Sequence, residues 1–306
     1  MKKVKTALLS VVVALGSLAC SAAGWSIVRG SGHMAEETYV VSGFDGVALA
    51  GIGTVYVEIG EEEGLRLEAE DNLIEHFKIE VRGNTLHIET NEYVTLIPTE
   101  PVKFYLTAKT LSSISVSGSG AVEAPALEAD DFKIEVSGSG DVSIDELATA
   151  GLDVKISGSG DVYIAGGEIG DRYIDVSGSG SYNAGGVGAQ EAHTVTAKVT
   201  GSGKAELGQI ETADLDVKVS GAGKVAIAGG NADMQRVAIT GSGQYRATDV
   251  ESSHVEIKIS GSGSAKVWAS EYLYAKISGS GDVYFKGDPT VEKSITGSGG
   301  IQPIES

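Results

Sequence analysis

Serine and threonine hydroxyls recur at nearly fixed spacing along the chain, in the tetrad [Ser/Thr]-Gly-[Ser/Ala]-Gly. If successive tetrads stack as strands of one sheet, their side chains form columns with members about 4.8 Å apart. Such columns have the chemistry to bind a glycan or an ice surface. The alternative is that small polar residues simply suit a tight, solvated corner. Threonine, which ice-binding faces favour, is the minority. The ten tetrads begin at Ser117, Ser137, Ser157, Ser177, Thr200, Ser220, Thr240, Ser260, Ser278 and Thr296.

Carboxylates follow some of these tetrads directly, at Asp141 and Asp161. Stacking would make them neighbours, as in a calcium site or the groove of a polysaccharide lyase. The alternative is an aspartate that favours a turn, which also accounts for the isolated Asp282. The calcium-binding repeat GGxGxD is absent. We therefore predict no metal site and keep both aspartates as candidate binding residues.

Aromatic side chains are further candidates for a binding face, because they stack on sugar rings and anchor interfaces. Tyr163 and Tyr284 each stand three residues after a tetrad, at positions with outward parity. Packing at the rim of neighbouring coils is the alternative role for these rings. The wider set of aromatic candidates is Tyr56, Tyr163, Tyr182, Tyr245, Trp268, Tyr272, Tyr274 and Tyr284.

Conventional catalysis finds no support in the sequence. The histidines are scattered without metal-ligand spacing, and no GxSxG, HExxH or phosphate-loop motif occurs. The Gly-Ser-Gly runs lie between strand patterns, not before helices. We predict no catalytic residue and no cofactor.

The tetrad spacing itself predicts the fold. Successive tetrads are 20, 20, 20, 23, 20, 20, 20, 18 and 18 residues apart, and a period near 20 is typical of one coil of a solenoid. Within 152–164, apolar residues and glycines share one parity while polar residues hold the other, which is the strand period of two. We predict an all-β, single-stranded parallel β-solenoid of about eleven coils, without a long amphipathic helix.

The tetrad glycines are predicted to form a structural turn. Their parity places them on the core side of a bend, where a Cβ has no room, and places Ser and Thr toward solvent. These glycines are Gly118, Gly120, Gly138, Gly140, Gly158, Gly160, Gly178, Gly180, Gly201, Gly203, Gly221, Gly223, Gly241, Gly243, Gly261, Gly263, Gly279, Gly281, Gly297 and Gly299.

The solenoid domain is predicted over 37–301, with a tail at 302–306. Its degenerate first coil contains Val47 to Ile59. Residues 61–110 interrupt the repeat as an insertion or cap, and 77–89 reads as a hairpin turning at Gly83-Asn84. A hairpin at the solenoid end would protect its open strand edge.

The N-terminus predicts export. Three lysines, an apolar run and small residues make 1–23 a signal peptide, followed by a linker at 24–36. Cys20 either becomes the lipidated N-terminus of a bacterial lipoprotein or is discarded by cleavage after Ala22 or Ala23. The net charge of −19 repels nucleic acid and anionic membranes, so we predict no nucleic-acid partner. Any membrane attachment would therefore go through Cys20, and the protein would be periplasmic, attached to the outer membrane, or secreted.

The chain resembles the head GIN domain family of auto-transporter adhesins, over about Glu37 to Ile301. The resemblance rests on 41–45 (VSGFD), on the recurrent SGSGDV, and on the closing segment 278–300. It implies a β-solenoid found in envelope or secreted proteins and confers no specific molecular function.

These observations together predict a non-enzymatic, exported cell-envelope protein, an adhesin or scaffold that binds a cell-surface glycan or protein through a repetitive face. The alternative is a polysaccharide-acting lyase or hydrolase on a β-helix scaffold. That chemistry needs carboxylates, Arg and Lys clustered on adjacent coils, whereas the arginines, among them Arg66, Arg172 and Arg236, are widely separated.

Overall fold

The computed structural model describes residues 26–304 with the exception of residue 92. The N-terminal elements are β1 (Ser26–Arg29), β2 (Met34–Tyr39), β3 (Gly46–Gly51), β4 (Thr54–Ile59), β5 (Gly64–Glu70), α1 (Asp71–Ile74), β6 (Phe77–Arg82), β7 (Thr85–Thr90), β8 (Val94–Ile97) and β9 (Lys103–Ala108). The tetrad-bearing part contains β10 (Ser113–Gly118), β11 (Ala121–Gly138), β12 (Asp141–Gly158), β13 (Asp161–Gly178), β14 (Ser181–Ala184), β15 (Gly188–Ala189), β16 (Glu191–Gly201), β17 (Lys204–Gly221), β18 (Lys224–Gly241), β19 (Gln244–Gly261), β20 (Ser264–Gly279), β21 (Asp282–Lys286), β22 (Thr290–Gly297) and β23 (Gly300–Pro303).

Each long strand is one coil, paired in parallel with the next coil at an offset of one repeat. Between β12 and β13, Ser157 pairs with Ser177 and Gly158 with Gly178. The pairing skips Asp145 and Ala150, so each coil has three straight segments, and the tetrad forms the remaining corner. About ten such turns stack. The predicted parallel β-solenoid is confirmed, with a coil number close to the predicted eleven.

The core is a set of aliphatic columns inside the coils. Ile134, Val154 and Ile174 stack in one column and are fully buried. Burial of each such side chain contributes about 1.5–3 kcal/mol. The period-two pattern therefore gave the correct inside and outside for the straight segments.

The tetrad glycines have two different roles, and one of them was predicted wrongly. The second glycine, as in Gly140, is buried, and a Cβ there would lie 2.5 Å from Val116 Cγ1. The first glycine, as in Gly138, is exposed, not core-facing. Its φ of +107° belongs to a region that L side chains rarely adopt. A Cβ at Gly138 would lie 2.6 Å from the carbonyl oxygen of Gly118 in the coil before.

The N-terminal cap closes the first coil. As predicted, β6 and β7 form a hairpin that turns at Gly83-Asn84. Strands β7 and β9 pair in parallel with β3 and β4, and so cover the edge of the first coil. Strands β6, β5 and β2 then continue outward in antiparallel pairs.

The expected linker and tail are partly strand. Within 24–36, β1 pairs with β8, and β2, which begins at Met34, pairs with β5. Residues 24 and 25 lie outside the described residues. At the other end, Gln302 and Pro303 pair with β21 and continue the last coil. Alternating hydrophobicity is weak in both segments, so the sequence did not indicate these pairings.

A buried carboxylate fastens the N-terminal strands to the cap. Glu70 is fully buried at the end of β5. Its side chain accepts hydrogen bonds from the Thr99 hydroxyl at 2.5 Å, from Thr99 N at 2.8 Å and from Gly32 N at 2.6 Å. The Thr99 hydroxyl, together with the backbone donors, lowers the pKa of Glu70 to about 2. The loops after β1 and β8 are thus held by one ionised group.

The C-terminal end carries a lysine in place of a core residue. In β22, Lys293 pairs with Ala275 and so continues a column that is aliphatic in the earlier coils. Lys293 is exposed at this open end, and a charge at an inward-register position of an edge strand discourages pairing with another strand. The two ends of the solenoid are therefore protected in different ways.

We predict that Gly158→Ala and Gly158→Val both lower the free energy of unfolding, by about 3 kcal/mol or more for valine. The φ of Gly158 is +123°, and a Cβ would lie 2.3 Å from Gly138 O. Ser157→Ala is the matched control and should change stability by no more than about 0.5 kcal/mol. Urea unfolding of the three variants measures this. Equal losses at the two positions would contradict the assigned roles.

Candidate functional site

The outward side chains that follow the tetrads form one continuous surface, which we call the post-tetrad face. It comprises the first, third and fifth residues after each tetrad, because the second and fourth, such as Val142 and Ile144, are buried. The parallel register keeps equivalent residues in columns about 4.8 Å apart. The face is built from 121–125, 141–145, 161–165, 181–185, 204–208, 224–228, 244–248, 264–268 and 282–286.

Tyr163 and Tyr284 both lie on the post-tetrad face, in the same column. Tyr163 is 48% exposed, and Tyr284 is half-buried. Six coil steps separate them, or about 29 Å. They therefore cannot contact the same sugar residue, although one long polymer could reach both.

The aspartates that follow the tetrads hold the next coil. Asp141 Oδ1 accepts a hydrogen bond from Asp161 N at 2.9 Å, and Asp282 Oδ1 accepts one from Gly300 N at 3.0 Å. Asp161 Oδ1 accepts from both the backbone N and the hydroxyl of Ser181. This geometry favours the turn-forming role. Within 26–304, residue 92 aside, no group of three or more Asp, Glu, His or Cys side chains is arranged to hold a metal ion.

Two of the aromatic candidates are in the core instead of on a binding face. Tyr182 and Tyr245 occupy inward positions and are almost completely buried. Tyr245 accepts a hydrogen bond from Gln235 Nε2. Burial raises the pKa of Tyr182 to about 12. Both stand two residues after a tetrad, so their parity already indicated the inside.

Arg172 also points inward, in the column of Leu152 and Val195. Its Nη2 donates to the carbonyl oxygens of Ile169, Gly188 and Gln209 at 2.8 to 3.0 Å. Its acceptor Gly188 lies in the following coil, in which the repeat lengthens to 23 residues. Arg172 therefore ties together backbone from three coils around the insertion and is not available to a ligand on the surface.

The charge of the post-tetrad face changes sign along the solenoid axis. Residues 121–165 of this face contain four carboxylates and no lysine or arginine. From 204 to 286 the face contains five cations against Glu206 and Asp282. We call these cations the basic strip: Lys204, Lys224, Arg246, Lys266 and Lys286.

The basic strip was missed from the sequence, although the signal was present. Lys204 and Lys224 were visible one residue after their tetrads, but Arg246, Lys266 and Lys286 stand three or five residues after theirs. Only the shared register of the three outward columns brings all five onto one surface. Lys286 packs over the Trp268 ring, with Nζ 3.8 Å from the ring centroid.

A family model described as "Putative auto-transporter adhesin, head GIN domain" matches residues 43–208 and 189–289. The chain belongs to the head GIN domain family. The two matches overlap and together cover most of the head GIN solenoid. Among curated proteins, none matches this sequence.

Solved structures share the fold of this head GIN chain. A structure described as a "putative adhesin" from Parabacteroides merdae has 18% identity and a TM-score of 0.55, covering 92% of this chain and 100% of its own. A second "putative adhesin", from Parabacteroides distasonis, has 19% identity and a TM-score of 0.52, with 91% and 100% covered. A "putative lipid binding protein" from the same species has 23% identity and a TM-score of 0.52, with 92% and 100% covered.

Helical structure contributes nothing to the site. In the described part of the head GIN chain, the α-helix is the four-residue α1, and no helix there is long and apolar enough to cross a membrane.

We predict that Asp161→Ala lowers the free energy of unfolding by about 1 kcal/mol, because the Ser181 N–H and hydroxyl lose their charged acceptor. Asp161→Asn keeps an acceptor oxygen and should lose less. Glu123→Ala, on the same face, is the control and should stay within about 0.5 kcal/mol. Urea unfolding measures all three. A rise of several degrees in Tm on adding calcium would instead restore the metal-site interpretation.

Proposed function

We propose that this chain is a non-enzymatic, exported cell-envelope protein, an adhesin or scaffold that binds a glycan or protein through the post-tetrad face. The observation that carries the proposal is the in-register stacking of outward columns over nine successive segments of that face. A long flat array suits an extended polymer or a protein surface better than a small substrate, which binds in concave pockets.

Membership of a family whose description names an auto-transporter adhesin supports this proposal. Two solved structures with the same fold are each described as a "putative adhesin", and a third as a "putative lipid binding protein". Their low identity supports the fold alone, so the ligand has to be argued from the chemistry of this chain.

The alternative, a polysaccharide-acting enzyme, finds less support in the geometry. Arg172 is buried against backbone carbonyls. Arg236 is paired with Asp214 at 2.7 Å on the opposite side of the tetrads. The carboxylates Asp141 and Asp161 hold backbone N–H groups of the next coil. None of these groups is arranged around a common point at which a glycosidic bond could sit.

Incubation of the exported chain with a panel of neutral and acidic glycans tests the proposal. We expect retention of at least one glycan on an array, without release of reducing ends or unsaturated products. Tyr163→Ala, at the exposed ring of the face, should weaken retention of a ligand that extends to it, while the outward Ser115→Ala on the opposite side of the tetrads should not. Turnover of any polysaccharide would overturn the non-enzymatic assignment.

We further propose that Cys20 anchors the protein to a membrane as a lipoprotein cysteine; Cys20 lies outside the described residues. The described chain is already a strand at Ser26. The segment from Cys20 to Ser26 is six residues long and spans about 20 Å when fully extended. Because β1 begins inside the linker expected at 24–36, the connection is shorter than that linker, and the N-terminal cap would lie close to the lipid headgroups.

The surface nearest this tether has an apolar character that agrees with such a position. Strands β1 and β8 pair in parallel and expose Ile27 and Ile97 on one face, with 70% and 47% of their surface accessible. Tyr93, just before β8, is 60% exposed. Tyrosine and isoleucine beside an arginine, here Arg29, suit the boundary between headgroups and water.

We predict that Cys20→Ala moves the protein from the membrane fraction to the soluble fraction without changing the far-UV spectrum or the Tm. The conservative control Ser21→Ala should leave the protein in the membrane fraction. Fractionation and mass spectrometry of the N-terminus provide the measurement. If the native and Cys20→Ala proteins are equally soluble, the protein is secreted without an anchor.

A further inference from the structure

We infer that the basic strip binds an acidic polysaccharide lying along the solenoid axis. This inference rests on the proposed function and names its ligand class. It starts from an imbalance: the chain carries a net charge of −19, yet five cations are gathered on one side of five successive coils.

The cations of the strip have no carboxylate partner within the described residues. Lys133, Lys155, Lys258 and Arg236, on the opposite side of the tetrads, each form an ion pair with a neighbouring acid at 2.6 to 3.2 Å. No such pair forms at any of the five strip positions in the part of the chain that the structure describes. All five side chains are exposed. Lys218 and Lys276, on the opposite side of the tetrads, are also exposed and form no ion pair in the described part of the chain. What distinguishes the strip is that all five of its cations are unpaired and lie on successive coils of one face.

The strip has the shape of a track for a linear chain. Lys204 pairs with Lys224, Ala226 with Arg246, and Arg246 with Lys266. The five coils span about 20 Å along the axis. The small side chain of Ala226 leaves a hollow of about 230 Å³ bordered by three cations, Lys204, Lys224 and Arg246, and by one carboxylate, Glu206. The three cations outnumber Glu206, so a ring seated over Ala226 would turn its carboxylate toward Lys224 and Arg246 and away from Glu206. An extended chain would carry further carboxylates to Lys266 and Lys286.

Aromatic rings at the far end of the strip favour a sugar polymer. Lys286 Nζ lies 3.8 Å from the centroid of Trp268, and Lys266 Nζ lies 5.5 Å from that of Tyr284. Cation–π contacts hold the ammonium groups over the rings and restrict their motion. The apolar edges of these rings can contact the C–H faces of a sugar, while the neighbouring ammonium groups can pair with its carboxylates.

The acids on the rest of the face restrict the ligand further. Glu123, Asp141, Asp145 and Asp161 occupy the N-terminal half of the same face and repel a polyanion that runs past the strip. Duplex nucleic acid or a flat anionic bilayer presents phosphates over an area much wider than the strip. A single polysaccharide strand can confine its charges to it.

Fluorescence anisotropy with labelled polygalacturonate oligomers tests the inference, with neutral dextran oligomers of equal length as the reference. The strip variant is K224Q/R246Q. The matched control is K218Q/K276Q, which removes the same charge from exposed positions on the opposite side of the tetrads. We expect the strip variant to weaken polygalacturonate binding by about tenfold or more and the control by less than about twofold. Binding should also weaken with salt, less steeply for the strip variant.

Several outcomes would overturn the inference. Equal weakening in both variants would mean that only the overall charge matters, and tighter binding of duplex DNA or anionic phospholipid vesicles would assign another ligand class. Absence of polygalacturonate binding would also overturn it. If a neutral glycan is then retained equally by the native protein and K224Q/R246Q, the proposed function survives without this inference. Cleavage of polygalacturonate would instead remove the proposed non-enzymatic function.

Discussion

The close approach of backbone to backbone at the tetrad corner is the constraint on which the rest of the structure depends. At each corner, the carbonyl oxygen of a glycine accepts a hydrogen bond from the next coil, as between Ser159 N and Gly138 O at 2.8 Å. A Cβ at the equivalent glycine of the next coil would occupy the same space as that oxygen. The absence of side chains at these corners lets the coils stack at sheet spacing without a shift of register. The register set at these corners aligns every column of side chains, both in the core and on the surface.

Because each coil contacts only its neighbours, the two ends need separate solutions. At the N-terminus, β7 and β9 do not belong to the repeat and pair with the edge of the first coil. Glu70 fastens the outermost segments through buried hydrogen bonds. At the C-terminal end, β22 keeps the repeat but replaces an aliphatic core residue by Lys293. A covered edge adds stability, whereas a charged edge mainly prevents association. The two ends of the solenoid are therefore different, so a ligand that lies along the axis would bind in one preferred direction.

The repeat period and the parity of apolar residues were enough to predict the solenoid, the cap hairpin and the aliphatic columns, because these follow from local periodicity. Parity wrongly placed Gly138 and its equivalents on the core side. Their positive φ reverses the direction in which the residue faces, and a period-two pattern carries no information about φ. The parity rule correctly places Tyr182 and Tyr245 in the core, because they follow their tetrads by two residues, as the core valines do. The rule was not applied to these two tyrosines when they were chosen as candidates for a binding face. The pairing of β1 with β8 connects segments almost seventy residues apart in a non-repeating region and left no local signal. The candidate site was the least predictable part. The five cations of the basic strip belong to three different columns on five coils, so their proximity is seen only once the register of those columns is known.

The division between inward and outward columns explains how a fold with such strict internal demands can carry a specific surface. The inward columns and the glycine corners are fixed by packing, so they repeat with little change from coil to coil. The outward positions face solvent, and a substitution there costs little stability. On the post-tetrad face this freedom has produced a gradient from Asp141 and Asp161 to Lys266 and Lys286, although the backbone beneath is the same. A regular spacing of about 4.8 Å converts that gradient into a row of charges at fixed intervals. If the inferred ligand is correct, selectivity for a linear anion would follow from the order of residues along the row together with the shallow hollow over Ala226.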